Sequence, residues 1–129
     1  MIEASIQTKE RYQLVDITDK IKEEVARSKV SSGTVLVFVT HTTAGLLVTE
    51  NEPGLVQDWQ VFLKKTVEGF NFQHDKIDNN ADSHMLAGLL GESKMFIIDN
   101  SQLVLGVWQR IFLAEFDGPR ERRVIVRVI

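Results

Sequence analysis

The side chains best suited to chemistry in this 129-residue chain are three histidines, His41, His74 and His84, and two acids, Glu115 and Asp82. No H-E-x-x-H or H-x-H spacing links the histidines, so spacing alone assigns them no metal. Their context says more, because each stands where one element gives way to the next. His41 ends the apolar run TVLVFVTHTTAG, His74 lies in the Asn- and Asp-rich GFNFQHDKIDNNA, and His84 opens HMLAGLLG. Residues at such breaks can converge on one pocket from separate elements, as catalytic zinc ligands do. At His84, the free amides and dipole of a helix start favour neutral imidazole, the form a metal binds. The competing reading is that each histidine is a hydrogen-bonded turn or cap residue.

Glu115 sits in the apolar stretch IFLAEF, where a carboxylate is costly to bury unless it is paired. Arg110 or Arg120 is the expected partner if Glu115 is structural. If it is not, Glu115 or Asp82 could act as general acid or base. Nucleophile-elbow, phosphate-loop and dinucleotide patterns are absent. There are no cysteines, which excludes thiolate chemistry and disulfides and points to a reducing cytoplasm.

The elements that must position these groups read as follows. Ile2–Thr8 and Tyr12–Ile17 form two strands suited to a hairpin. A helix then starts at Thr18, whose hydroxyl caps it, with Ile17, Ile21 and Val25 on its inner stripe. Thr34–Thr40 alternates two apolar faces and predicts a central strand buried on both sides, with Ala44 and Gly45 turning the chain before LLVTE. Glu50 to Gly54 is a helix start, with Asn51 or Glu52 as cap and Pro53 in the first turn. Leu55, Val56, Trp59, Leu63 and Val67 give the core-facing stripe, widened by Phe62. Asp82 or Ser83 caps the short helix that follows the loop, with Leu86, Leu89 and Leu90 inward and Gly91 as its stop. Lys94–Ile98 and a long strand Leu103–Phe116, bent at Gly106, form a hairpin through AspAsnSerGln. In the long strand Gln109, Ile111, Leu113 and Glu115 share one face; Trp108, Arg110, Phe112, Ala114 and Phe116 share the other. A final strand follows Arg120. Its arginines, Arg120, Arg122, Arg123 and Arg127, read as a solvated edge, although Arg120 lies in a turn and could meet an anion.

These elements make one α+β domain over residues 1–129, with a largely antiparallel sheet or sandwich, two longer helices and one short helix. Composition, 43% hydrophobic and 26% charged, is that of a soluble globular protein. The net charge of −3 argues against nucleic-acid binding. No run reaches membrane-spanning length, and MIEASIQTKE lacks the pattern of a secretion signal.

Four ordered motifs carry a resemblance: HTTAG…NE over His41–Glu52, NADSH over Asn80–His84, LGVWQ over Leu105–Gln109 and EFDGPR over Glu115–Arg120. Together they resemble the YjbQ family of small uncharacterised proteins, over nearly the whole chain. The resemblance implies an α+β homotrimer with sites near subunit boundaries. Some members are described as having thiamine-phosphate synthase activity, in which a pyrimidine pyrophosphate joins a thiazole phosphate. Carried over by motif, His41, His84 and, more weakly, His74 are the site histidines. Asn51, Trp108, Gln109 and Glu115 also match, Thr42, Thr43 and Arg120 could meet phosphates, and Trp108 could stack on a heterocycle. Two positions depart: Leu86 stands where the family commonly has a basic residue, and Val107 where it has threonine. A histidine cluster suits zinc, whereas a departing pyrophosphate suits magnesium. The readings therefore stay open between a synthase of this type, a metal-dependent hydrolase or lyase, and a protein that binds a small molecule or metal without turnover.

Overall fold

The alternating apolar pattern of Thr34–Val39 becomes the middle strand of the larger of two sheets in the computed structural model, which describes residues 1–129. Eight strands occur in chain order: β1 Ile2–Gln7, β2 Gln13–Asp16, β3 Gly33–Val39, β4 Ala44–Thr49, β5 Ser93–Asp99, β6 Gln102–Leu103, β7 Arg110–Glu115 and β8 Glu121–Val128. Three helices accompany them: α1 Thr18–Ser28, α2 Pro53–Val67 and α3 Ala81–Leu90. All strand pairs are antiparallel, in the orders β1-β8-β3-β5-β6 and β2-β7-β4. The α+β assignment holds. No helix is long and apolar enough to cross a membrane.

The main core lies between the sheets. Val35, Val37 and Val39 of β3 and Val124 and Val126 of β8 meet Leu46, Ile111 and Leu113 of the smaller sheet, with Ile17, Ile21 and Val25 closing one side. A second cluster, Leu63, Leu86, Ala87, Ala114 and Phe116, fills the space between α2, α3 and the other face of β7. Period-2 alternation along β7 thus feeds two cores, as the sequence pattern requires.

Several expectations need correction. β1 and β2 form no hairpin; they lie in different sheets, paired with β8 and β7. Thr18 does not cap α1. The Asp16 carboxylate accepts from Thr18 N at 3.0 Å, while the Thr18 hydroxyl, turned inward, accepts from Ile111 N at 2.8 Å. β3 is buried on one face only, since Leu36 and Phe38 are half-exposed on the other. Ala44 and Gly45 are already strand, paired with Glu115 and Ala114. The residue needed at 45 is a small one: a Cβ there would lie 2.9 Å from Gly91 O and 3.2 Å from Ala87 O, where α3 crosses β4.

The long strand Leu103–Phe116 is two strands in different sheets, because the chain leaves the larger sheet at Val104 and re-enters the smaller at Arg110. Phe62 and Leu89 are not core; they are 60% and 70% exposed. Asp82 and Ser83 do not cap α3. Asp75 accepts from Ala81 N at 3.0 Å, and the Ser83 hydroxyl donates to Phe116 O. The cap at Glu52, the stop at Gly91 (φ +92°) and the turn at Asn100 and Ser101 (φ +49° and +61°) are as read.

Candidate functional site

The polar break after β3 carries the chain from one sheet to the other, and it stands over a cavity. This space of about 630 Å³ is bounded by Phe38, Val39, Thr40, His41 and Thr42, by Ala44 of β4, by His84, Ala87 and Gly88 of α3, and by Glu92. Two of the three histidines therefore face one space from elements more than forty residues apart. The third stands behind them. The His74 ring packs edge-to-face on His84 with centroids 4.9 Å apart, and it does not line the cavity.

Each histidine is held differently. His41 Nε2 accepts from the main-chain N–H of Arg123 at 2.8 Å. Burial, then the positive charge of Arg122, holds its pKa below the usual 6.5. His74 Nε2 lies 2.9 Å from Asn80 Oδ1, and Asn80 Nδ2 donates to Asp117 Oδ2 at 2.9 Å. An amide oxygen can only accept, so His74 carries its proton on Nε2. The His84 ring makes no hydrogen bond, and its orientation comes from the His74 ring and the helix. A metal-binding imidazole uses one ring nitrogen and as a rule donates from the other, an arrangement that His74 has with Asn80 and that His41, whose Nε2 accepts, does not.

Glu115 lies outside the cavity, fully buried between the two sheets. Its expected partners are wrong: Arg110 pairs with Asp16 and Asp19, and Arg120 with Asp117. The partner is Arg122, whose Nε lies 2.9 and 3.0 Å from the two carboxylate oxygens and whose Nη2 also donates to Oε2. Thr8 Oγ1 at 2.6 Å and the amides of Phe116 and Asp117 complete the shell. Arg122 is therefore no solvated edge residue, being 2% exposed on an inner strand. It also reaches the break after β3, donating from Nη2 to Thr43 Oγ1 at 2.8 Å and Thr43 O at 3.3 Å. Thr43 is thus a buried support, and Thr42 is the hydroxyl that faces the cavity. The signal for Arg122 was present: it shares a strand phase with Val124 and Val126, both core residues.

Asp82 accepts from Arg11 at 2.9 Å and from the hydroxyl of Tyr12. Burial, then this contact with Asp82, pushes the Tyr12 hydroxyl well above its ordinary pKa of 10.0. Arg120 is exposed, donating to Asp117 O at 2.7 Å. Asn51 and Trp108 lie together in a second hollow, with Asp16, Glu50, Glu52 and Arg110. There Asp16 accepts from Asn51 Nδ2 at 3.0 Å and Arg110 Nε at 2.8 Å. Burial works against the Asp16 carboxylate, but bonds from Arg110, Thr18 and Asn51 outweigh it and hold its pKa down. Trp108 belongs to no strand face and is 70% exposed; Gln109 Oε1 caps the preceding turn by accepting from Gly106 N at 2.7 Å. This hollow and the histidine cavity lie at opposite ends of β4, whose six residues span roughly 17 Å. The residues expected at one site are therefore dispersed: His41, Thr42 and His84 line the cavity, Asn51 and Trp108 the hollow, and Glu115, Thr43, Asp82, Gln109 and Arg120 neither, while Ala87, Gly88 and Glu92 join the cavity unforeseen.

The family model described as UPF0047 protein YjbQ-like matches residues 2–129. A UPF0047 protein of Archaeoglobus fulgidus is 43% identical, over 99% of this chain and all of its own. A crystal structure of an uncharacterised conserved protein from Clostridium acetobutylicum superposes with a TM-score of 0.96 at 40% identity, covering both chains fully. One from Sulfolobus solfataricus, of unknown function, gives 0.96 at 38% identity over 98% of this chain and 94% of that one.

Proposed function

Because the chain belongs to the YjbQ-like UPF0047 family, whose members carry no established function, we propose that it binds a small phosphorylated molecule in the cavity between His41 and His84. The observation that carries this reading is the convergence of those two imidazoles, from a loop and a helix, on one space with an apolar floor. His84, its ring free of internal hydrogen bonds and packed on His74, is the group placed to bind the ligand or move a proton. Thr40 and Thr42 add hydroxyls. Glu115, Arg122 and Thr43 hold the loop from behind.

Catalysis of the thiamine-phosphate synthase type rests on the family resemblance, and the chemistry of the cavity is compatible with it. A departing pyrophosphate needs hydrogen-bond donors, which His41, Thr42 and His84 can supply. Magnesium takes one or two carboxylates plus substrate phosphates, and Glu92 is the carboxylate bordering the cavity. Leu86 could not serve there, being 1% exposed within the second core. The cytoplasm, with its phosphorylated metabolites, is the compartment this reading assumes. Purified protein supplied with the pyrimidine pyrophosphate, the thiazole phosphate and magnesium should release thiamine phosphate, and His84→Ala should lower the rate ~100-fold or more. A wild type without turnover defeats the synthase reading. A zinc site present in the wild type and lost in His41→Ala/His84→Ala would favour the metal-dependent hydrolase instead.

A homotrimer belongs to the same reading. Two apolar faces lie open on one chain: Met95 and Ile97, 59% and 60% exposed beside Leu36 and Phe38 on the larger sheet, and Val61, Phe62, Met85 and Leu89 on the outer surfaces of α2 and α3. Unlike faces that cover each other head to tail close into a ring when the rotation between copies completes a circle, which a trimer does in three steps. Phe38 both borders the cavity and lies on the open sheet face, so the site would sit at a subunit boundary.

A further inference from the structure

The hydrogen bond at His41 specifies more than an orientation. Arg123 N–H can only donate, so the Nε2 that receives it carries no proton. The neutral ring must then hold its proton on Nδ1. That nitrogen has no partner within the chain, and no buried side-chain nitrogen or oxygen lacks one, so Nδ1 lies open to solvent. The ring it belongs to lines the cavity. Arg123 cannot easily give way. It follows Arg122, which is clamped to Glu115, and Thr40 N and Oγ1 lie 3.5 and 3.4 Å from its carbonyl on the far side of the same peptide segment.

We infer that His41 is a locked hydrogen-bond donor, its Nδ1–H tautomer set by the main chain of β8, and that it receives an oxygen acceptor of the ligand, anionic or carbonyl, rather than a cation. This rests on the proposed use of the cavity and adds the chemistry of the group seated at His41. Its neighbours agree with it. Thr42 brings a hydroxyl that can donate to the same acceptor, while Arg122 and Arg123 place positive charge nearby without entering the cavity. The same charges, after burial, disfavour imidazolium, so donation from the neutral ring is the state that persists at neutral pH. A metal at this position would instead face the one nitrogen that bears a proton.

Long-range nitrogen–proton NMR on labelled wild type at pH 7.5 reads the tautomer directly and needs no ligand. The expected result is a protonated Nδ1 and a bare Nε2 at His41; a proton on Nε2 overturns the inference, whatever becomes of the enzyme assay. The ligand half is tested with inorganic phosphate, followed through the amides of Ala87 and Gly88. Asparagine places an N–H near the position of Nδ1, and glutamine places one near Nε2. His41→Asn should keep phosphate affinity within a few-fold of wild type, and His41→Gln should lose ~10-fold or more. Equal loss in both variants, retention by His41→Gln alone, or a wild type that binds no phosphate overturns the acceptor assignment.

Discussion

The carboxylate of Glu115 and the guanidinium of Arg122, 0% and 3% exposed, form an ion pair that joins the two sheets across the core. β7 contributes one partner and β8 the other, and the same guanidinium holds the Thr43 carbonyl. The pair thus links the packing of the sandwich to the loop that presents His41 and Thr42. Burying two charges is costly, and it is tolerated here because every oxygen of Glu115 has donors and no buried side-chain nitrogen or oxygen is orphaned.

Removing one partner should therefore cost more than removing both. Glu115→Gln leaves Arg122 charged and buried, and should lower the unfolding free energy by roughly 3 kcal/mol. Glu115→Leu/Arg122→Met should cost less than that. Urea denaturation of the single and double variants measures the difference. A double variant less stable than Glu115→Gln would show that the pair contributes net stability, against this account.

His41 makes a pH prediction whose sign is determined. Its folded pKa lies below the unfolded value near 6.5, so the unfolded chain binds the proton more tightly. The bond from Arg123 therefore stabilises fully above pH 6.5 and is lost as pH falls from there through the folded pKa. Asp16, also depressed, acts in a separate window, below its ordinary 3.8. Between pH 7.5 and 5, the melting temperature of wild type should fall more steeply than that of His41→Asn. Parallel curves would remove His41 from the pH response.

Covering the open apolar faces should produce a particle of three times the 14.7 kDa chain. Light scattering at micromolar concentration should find it, and Ile97→Arg on the sheet or Phe62→Glu on α2 should each reduce it to monomer. A monomeric wild type would contradict the assembly.

Much of this was legible beforehand. Local rules placed the helix cap at Glu52, the stop at Gly91, the turn at Asn100 and the two-faced alternation of β7. What failed was pairing between distant segments. β1 and β2 are adjacent in sequence and looked like a hairpin, yet their partners are more than ninety residues away. Arg122 was misread because four nearby arginines suggest a solvated surface, while its phase with Val124 and Val126 pointed inward. Trp108 and His41 matched one family pattern but lie at opposite ends of β4, since a motif fixes order along the chain and not proximity. Gly88 and Glu92 had no signal of their own; only the crossing of α3 over β4 brings them to the cavity.

Gly88 offers the most direct test of the central claim, that the space between His41 and His84 is where the ligand sits. A Cβ at this helical position meets nothing within 4 Å, so the backbone accepts a side chain there, and a large one enters the space that Gly88 lines. Replacing glycine within a helix also favours the fold, by up to about 1 kcal/mol. The measurement is the rate of thiamine phosphate formation by wild type and Gly88→Trp, with melting temperatures taken on the same samples. The account predicts a rate at least ~10-fold lower in Gly88→Trp with its melting temperature equal or higher. Undiminished turnover in a folded Gly88→Trp would contradict it.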